Sequence, residues 1–156
     1  MAEDNSELIT WSHTLTCGIR LIDEQHKGLV VLINEMFQHV TDNQAQEHIY
    51  FSNVVHELIK YVKIHFATEE KIMHATKFAG YAQHKREHDY FICTVMEKVS
   101  DYNLKKHINL YSFTKFLKEW VLSHIAIRDK QYFEYLRMTA TRKANGVLSI
   151  TRADVA

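Results

Sequence analysis

His84-Lys85-Arg86-Glu87-His88-Asp89-Tyr90-Phe91-Ile92-Cys93-Thr94-Val95-Met96-Glu97-Lys98-Val99 is the stretch that decides the fold. His84, His88, Phe91, Val95 and Val99 recur at intervals of three and four, which is the spacing of one face of an α-helix. Lys85, Arg86, Asp89 and Glu97 occupy the other faces. A helix is therefore expected over 81–100, with an apolar inner stripe that begins in two imidazoles. The apolar part of that stripe needs other helices to cover it. The imidazoles are candidate metal ligands, because histidine is the commonest metal ligand among side chains.

Working outward, the same period appears three more times. Leu29, Ile33, Met36, Phe37 and Val40 predict a first helix over 23–41. Phe51, Val54, Val55, Leu58, Tyr61, Val62 and Ile72 predict a second over 45–75. Phe113, Phe116, Leu117, Trp120, Val121, Ile125, Phe133 and Leu136 predict a fourth over 108–137. Asp42 to Gln44, Thr76 to Gly80 and Asp101 to Lys106 are the connections, with Gly80 expected as a turn residue. The 156 residues contain no proline and only four glycines, so almost nothing interrupts a helix. Four long helices with short connections pack antiparallel, up-down-up-down. The chain is thus expected to be all-α: an N-terminal arm over 1–20 packed on the bundle through Leu8, Ile9, Trp11 and Leu15, the four-helix bundle over 21–137, and a flexible tail or short accessory helix over 138–156.

Charge narrows the function. Lysine and arginine number 19 and so do aspartate and glutamate, a balance that argues against nucleic acid and against a membrane surface as partner. The polar, acidic start of the chain is unlike a signal peptide, and no apolar run is long enough for a bilayer. Two cysteines do not make a disulfide framework, so a cytoplasmic location is expected. Cys93 is expected to be a small buried hydrophobe.

The eleven histidines divide into two sets. His65 and Glu69 stand at i and i+4, as do His84 and His88, so each pair sits roughly 5–6 Å apart on one helix face. His26 lies near the start of the first helix, and His124 and Asp129 lie in the second half of the fourth. In an up-down-up-down bundle, starts of odd helices meet ends of even ones. His26, His65, Glu69, His84, His88, His124 and Asp129 therefore converge in one layer. His13, His39, His48, His56, His74 and His107 fall outside it, and Glu70 is expected on the solvated face. The i+5 spacing of His124 and Asp129 leaves them roughly 140° apart on an ideal helix, so either Asp129 reaches around or the helix widens locally into a π turn.

Coordination arithmetic points to a gas binder. Two irons with imidazole and carboxylate ligands need about twelve positions. The five histidines, two carboxylates that both bridge and one small oxo or hydroxo bridge leave a single position open. A histidine-rich donor set should also favour carriage over the oxygenation chemistry of carboxylate-rich sites.

Four stretches carry a family resemblance: Gly18-Ile19-Arg20-Leu21-Ile22-Asp23-Glu24-Gln25-His26, His65-Phe66-Ala67-Thr68-Glu69-Glu70, His84-Lys85-Arg86-Glu87-His88, and Trp120-Val121-Leu122-Ser123-His124-Ile125-Ala126-Ile127-Arg128-Asp129. The chain resembles the hemerythrin family in its bacterial single-domain form. This chain has Phe78-Ala79 where members of that family often carry a tyrosine-proline pair. The resemblance implies that His84, His88 and His124 hold one iron, that His26 and His65 hold the second, and that Glu69 and Asp129 bridge them. It implies that the second iron takes dioxygen.

By helical phase Leu29, Ile33, Phe66, Trp120, Val121 and Ile125 should wall the open position and keep it dry. The reading is reversible dioxygen binding for storage, delivery or sensing, by a protein that is not an enzyme. A protein partner could take part in delivery or signalling, and a monomer is the favoured state. A di-iron enzyme acting on peroxide, dioxygen or nitric oxide is the alternative, and a structural zinc site is a third.

Overall fold

The computed structural model describes residues 7–144. A 3-10 turn at His13–Leu15 precedes four bundle rods. The first three are α1 (Arg20–Gln38), α2 (Gln44–Ala75) and α3 (Tyr81–Asn103). The last is one continuous rod made of α4 (Leu110–Ser123), a π segment (His124–Asp129) and α5 (Lys130–Ala144). Helix α2 packs on α1 and α3, and α1 packs on α4. Phe91 of α3 meets Phe116 and Trp120 of α4 with ring centroids 5.8 and 4.2 Å apart, which closes the bundle. No helix among the described residues is long and apolar enough to cross a membrane.

Local chemistry sets the helix ends. The Asn43 side chain accepts from the backbone N–H of Ala45 and Gln46, and Asn109 accepts from Ser112, so asparagine caps both α2 and α4. Glu47 reaches back from the first turn of α2 to the Thr41 N–H at 2.7 Å. Helix α1 starts before Asp23, not at it. The Asp23 carboxylate serves the arm instead, accepting the N–H groups of Cys17 at 2.8 Å and Gly18 at 3.1 Å. Gly80 lies in the turn that enters α3, as expected, where the Tyr81 N–H donates to the Phe78 carbonyl at 3.1 Å. Lys77 takes the left-handed conformation at φ 53°, and Gly80 is needed because the Phe78 ring lies where a Cβ would sit. The last rod continues past residue 137 as far as Ala144, so 138–144 prolong it. The rest of the expected tail or accessory helix, 145–156, falls outside the described residues.

Two apolar clusters lie along the bundle. The larger is built around Ile33, Met36, Phe51, Leu58, Phe91, Val95, Phe113 and Leu117, and Ile9 and Leu15 of the arm are buried in it. Asn34 clasps the backbone of Ile9, accepting its N–H at 2.9 Å and donating to its carbonyl at 2.8 Å. The smaller cluster gathers Ile22, Ile72, Met73, Tyr132, Phe133 and Leu136. In sequence, the polar residues of α1, of the late part of α2 and of the last rod fall between members of the two clusters. Cys93 is exposed, because Phe91 and Val95 on either side of it take the inward positions of α3.

Candidate metal centre

All seven polar residues singled out above are buried, between 0% and 4% exposed, and they meet in one layer. Their ligand atoms form two groups. One comprises Glu69, His84, His88 and His124, and the other His26, His65, Glu69 and Asp129. The two carboxylates span both. Glu69 Oε1 lies 3.3 Å from His65 Nε2 and 3.5 Å from His26 Nε2. Its Oε2 lies 3.2 Å from His88 Nε2 and 3.5 Å from His84 Nε2. Asp129 Oδ2 approaches His26 Nε2 at 3.0 Å, whereas Oδ1 approaches His124 Nε2 at 3.1 Å and His84 Nε2 at 3.2 Å. Each carboxylate thus turns one oxygen to each histidine group.

The π segment makes this possible. Its i to i+5 repeat brings Asp129 round to the face of His124, which a regular α-helix cannot do at that spacing.

The donor set fits a pair of cations. His84 Nε2 and His88 Nε2 come within 3.1 and 3.0 Å of His124 Nε2, so three ring nitrogens converge on one point. All four oxygens of Glu69 and Asp129, and both ring nitrogens of His26, are buried without a hydrogen-bond partner. Buried polar groups are ordinarily satisfied, and here bound metal would satisfy them. The electrostatics agree. Burial alone would push both carboxyls up and the imidazoles down. The imidazoles nevertheless hold Glu69 and Asp129 well below the usual carboxylate range. In return, Asp129 and Glu69 outweigh burial at His26, which rises to about 9, and they raise His84 and His124. His65 instead follows burial, falling to about 4. The two carboxylates stay anionic and draw positive charge into the layer.

Aromatic rings flank the three-histidine group. Phe66 stacks on His88 at 3.8 Å between centroids, and Trp120 stacks on His124 at 4.3 Å. Leu29, Ile33, Val121 and Ile125 are buried in the larger apolar cluster. Leu29 lies three residues from His26, and Val121 and Ile125 flank His124. The remaining described histidines lie outside the layer, where His39 stacks on Tyr50 and His48 on Tyr102.

Four residues around the layer escaped the sequence reading. Glu70 is only partly on the solvated face: its side chain is 21% exposed, and its carboxylate accepts from His88 Nδ1 at 3.0 Å. Gln25 accepts from His65 Nδ1 at 2.9 Å. Glu87 stands 3.8 Å from His124 Nδ1 and pairs with Arg128 at 2.9 Å. Tyr132 is fully buried, its ring 6.4 Å from that of His84, and burial raises its phenol. Helical phase could have found Tyr132, three residues past Asp129. Nothing in α2 itself reveals that Glu70 reaches a ring on α3.

The chain is similar to known proteins in sequence and in fold. A family model described as the hemerythrin HHE cation binding domain matches residues 17–136. The bacteriohemerythrin of Pseudomonas aeruginosa is 32% identical over 133 residues, covering 83% of this chain and 82% of its own. That of Methylococcus capsulatus is 26% identical over 126 residues, covering 80% and 94%. A crystal structure of wild-type hemerythrin superposes with a TM-score of 0.71 at 27% identity, covering 81% of this chain and 96% of that one.

Proposed function

This chain belongs to the hemerythrin family, and from that premise we propose that it binds dioxygen reversibly at a two-iron centre held by His26, His65, Glu69, His84, His88, His124 and Asp129. Two irons joined by an oxo or hydroxo bridge would supply the electrons that dioxygen takes on binding and recover them on its release. The single observation that carries the reading is the unequal sharing of donors. Each carboxylate turns one oxygen to each group, but one group has three imidazoles and the other two. The two-histidine position is therefore one donor short, and a small ligand fits there.

The protein's own side chains do the rest. Glu69 and Asp129 would hold both cations, since each turns one oxygen to each histidine group. Leu29, Ile33, Val121 and Ile125 wall the layer with apolar surface on the side of the larger cluster, and Phe66 and Trp120 shield the three-histidine side. Such a wall excludes the water and protons that would make oxidation irreversible. Storage, delivery and sensing all follow from this chemistry.

A di-iron enzyme acting on peroxide, dioxygen or nitric oxide is the second reading. Tyr132 favours it, because a buried phenol beside the layer could donate a proton or an electron. Colour separates the two. The iron-loaded protein, reduced without air, should be nearly colourless, turn pink or violet in air, and bleach again under nitrogen. Steady consumption of reductant with no stable coloured form would sink the carrier reading.

A further inference from the structure

Just outside the seven side chains, two acceptors hold the far ring nitrogens of two imidazoles. On α2, His65 Nδ1 donates to Gln25 Oε1 at 2.9 Å. The amide's orientation follows from its other end. Gln25 Nε2 lies 3.2 Å from Thr68 Oγ1, whose own proton goes to the Ile64 carbonyl at 2.9 Å. That hydroxyl can therefore only accept, so Gln25 turns its nitrogen to Thr68 and its oxygen to His65. Tyr61 donates to the Gln25 backbone carbonyl at 2.7 Å, and Gly28 leaves it the room, since a Cβ there would collide with the Tyr61 hydroxyl.

On α3, His88 Nδ1 donates to Glu70 Oε1 at 3.0 Å. Both imidazoles thus carry their hydrogen on Nδ1 and present the Nε2 lone pair to the layer. The two acceptors differ in charge, however. Gln25 is neutral and Glu70 is a carboxylate. Lys85 offsets Glu70 only in part, being 3.6 Å away and 41% exposed. Glu87 does not repeat the arrangement at His124, for 3.8 Å is too long for a hydrogen bond and Arg128 already pairs with it.

An anionic acceptor makes an imidazole a stronger donor than a neutral one does. We propose that Glu70 and Gln25 are positioning residues that rank the two metal positions: Glu70 makes the three-histidine position the tighter, and Gln25 leaves the two-histidine position, with its vacant slot, the looser. The ranking rests on the two-metal reading and deepens it. It keeps the more firmly held ion as an anchor and leaves the weaker field at the ion that meets the small ligand.

The test is an anaerobic titration of the metal-free, full-length protein with Co2+, followed by its absorption bands and by competition with a chelator. Wild type should show two successive dissociation constants, with His65→Ala removing the looser step and His124→Ala the tighter. Glu70→Gln keeps the acceptor and loses the charge. It should weaken the tighter constant on the order of 10-fold and leave the other within about 2-fold. Glu70→Ala loses both and should cost on the order of 100-fold. Gln25→Glu should tighten the looser constant and narrow the gap. Far-UV circular dichroism of each metal-free variant should match wild type, which separates positioning from misfolding. If wild type takes two Co2+ but Glu70→Gln moves both constants equally, moves neither or moves only the looser, the ranking is overturned and the two-metal reading stands. If wild type takes no pair of Co2+, both fall.

Discussion

The layer around Glu69 and the apolar stretch around Phe51 are built on the same helices with the same spacing, yet they are opposite in physical chemistry. Helix α2 contributes Phe51, Val55 and Leu58 to one and His65 and Glu69 to the other. Helix α3 contributes Phe91 and Val95, then His84 and His88. The apolar stretch gains free energy simply by leaving water, about 25 cal/mol for each Å² of apolar surface buried. The polar layer gives up the hydration of two carboxylates and five imidazoles, and only positive charge compensates it. One region decides whether the chain folds and the other what it can hold. The architecture puts them end to end so that the first keeps the second rigid.

The sharpest way to break this contrast is to remove Glu69, which turns an oxygen to each histidine group. Glu69→Ala should reduce bound iron from a pair per chain to at most one weakly held ion, measured by metal analysis after desalting. Retention of both irons would refute the bridging assignment. In the other region, Phe51 is fully buried against Phe113 and Tyr102, with centroids 5.3 and 5.7 Å away. Phe51→Ala should cost about 3–5 kcal/mol in denaturant unfolding, with iron content per folded chain unchanged. A loss of iron as large as that of Glu69→Ala would show that the two regions are not separable.

A smaller effect sharpens the contrast through pH. With metal stripped, the proton on His26 is held up to about 9, above the ordinary 6.5. The stability it contributes is complete below 6.5 and is lost as pH rises through about 9. His65 is displaced the other way, to about 4, so its burial costs stability as pH falls below 6.5. Metal-free protein should therefore be most stable near pH 6.5 and lose about 1–3 kcal/mol towards either side, read from unfolding midpoints across the series. Iron-loaded protein should be flatter above pH 6.5, because metal replaces the proton. The Phe51→Ala variant should keep the wild-type curve shape at lower stability. A flat profile for the metal-free protein would mean that the layer does not hold its protons as described.

Most of the fold was legible because apolar residues at intervals of three and four admit one regular structure. Helix ends were less legible. The apolar stripe puts the start of the first helix at Asp23, but Asp23 sits inside α1 and binds the arm. Cys93 looks like core by residue type, but Phe91 and Val95 leave it no inward position. Of the two ways to reconcile the i+5 spacing of His124 and Asp129, the structure takes the π segment.

By itself the sequence determined the helices, their order and the level at which seven ligand-type side chains would meet, because each of these depends on periodicity within a single helix and on chain direction. Tertiary structure alone decided which side chain stands behind which imidazole. Glu69 and Glu70 are about 100° apart on α2, which reads as one residue in and one out. The close approach of α3 brings His88 to both, one ring nitrogen to each. A helix's own period says which face a residue occupies, but not what the neighbouring helix presents to it.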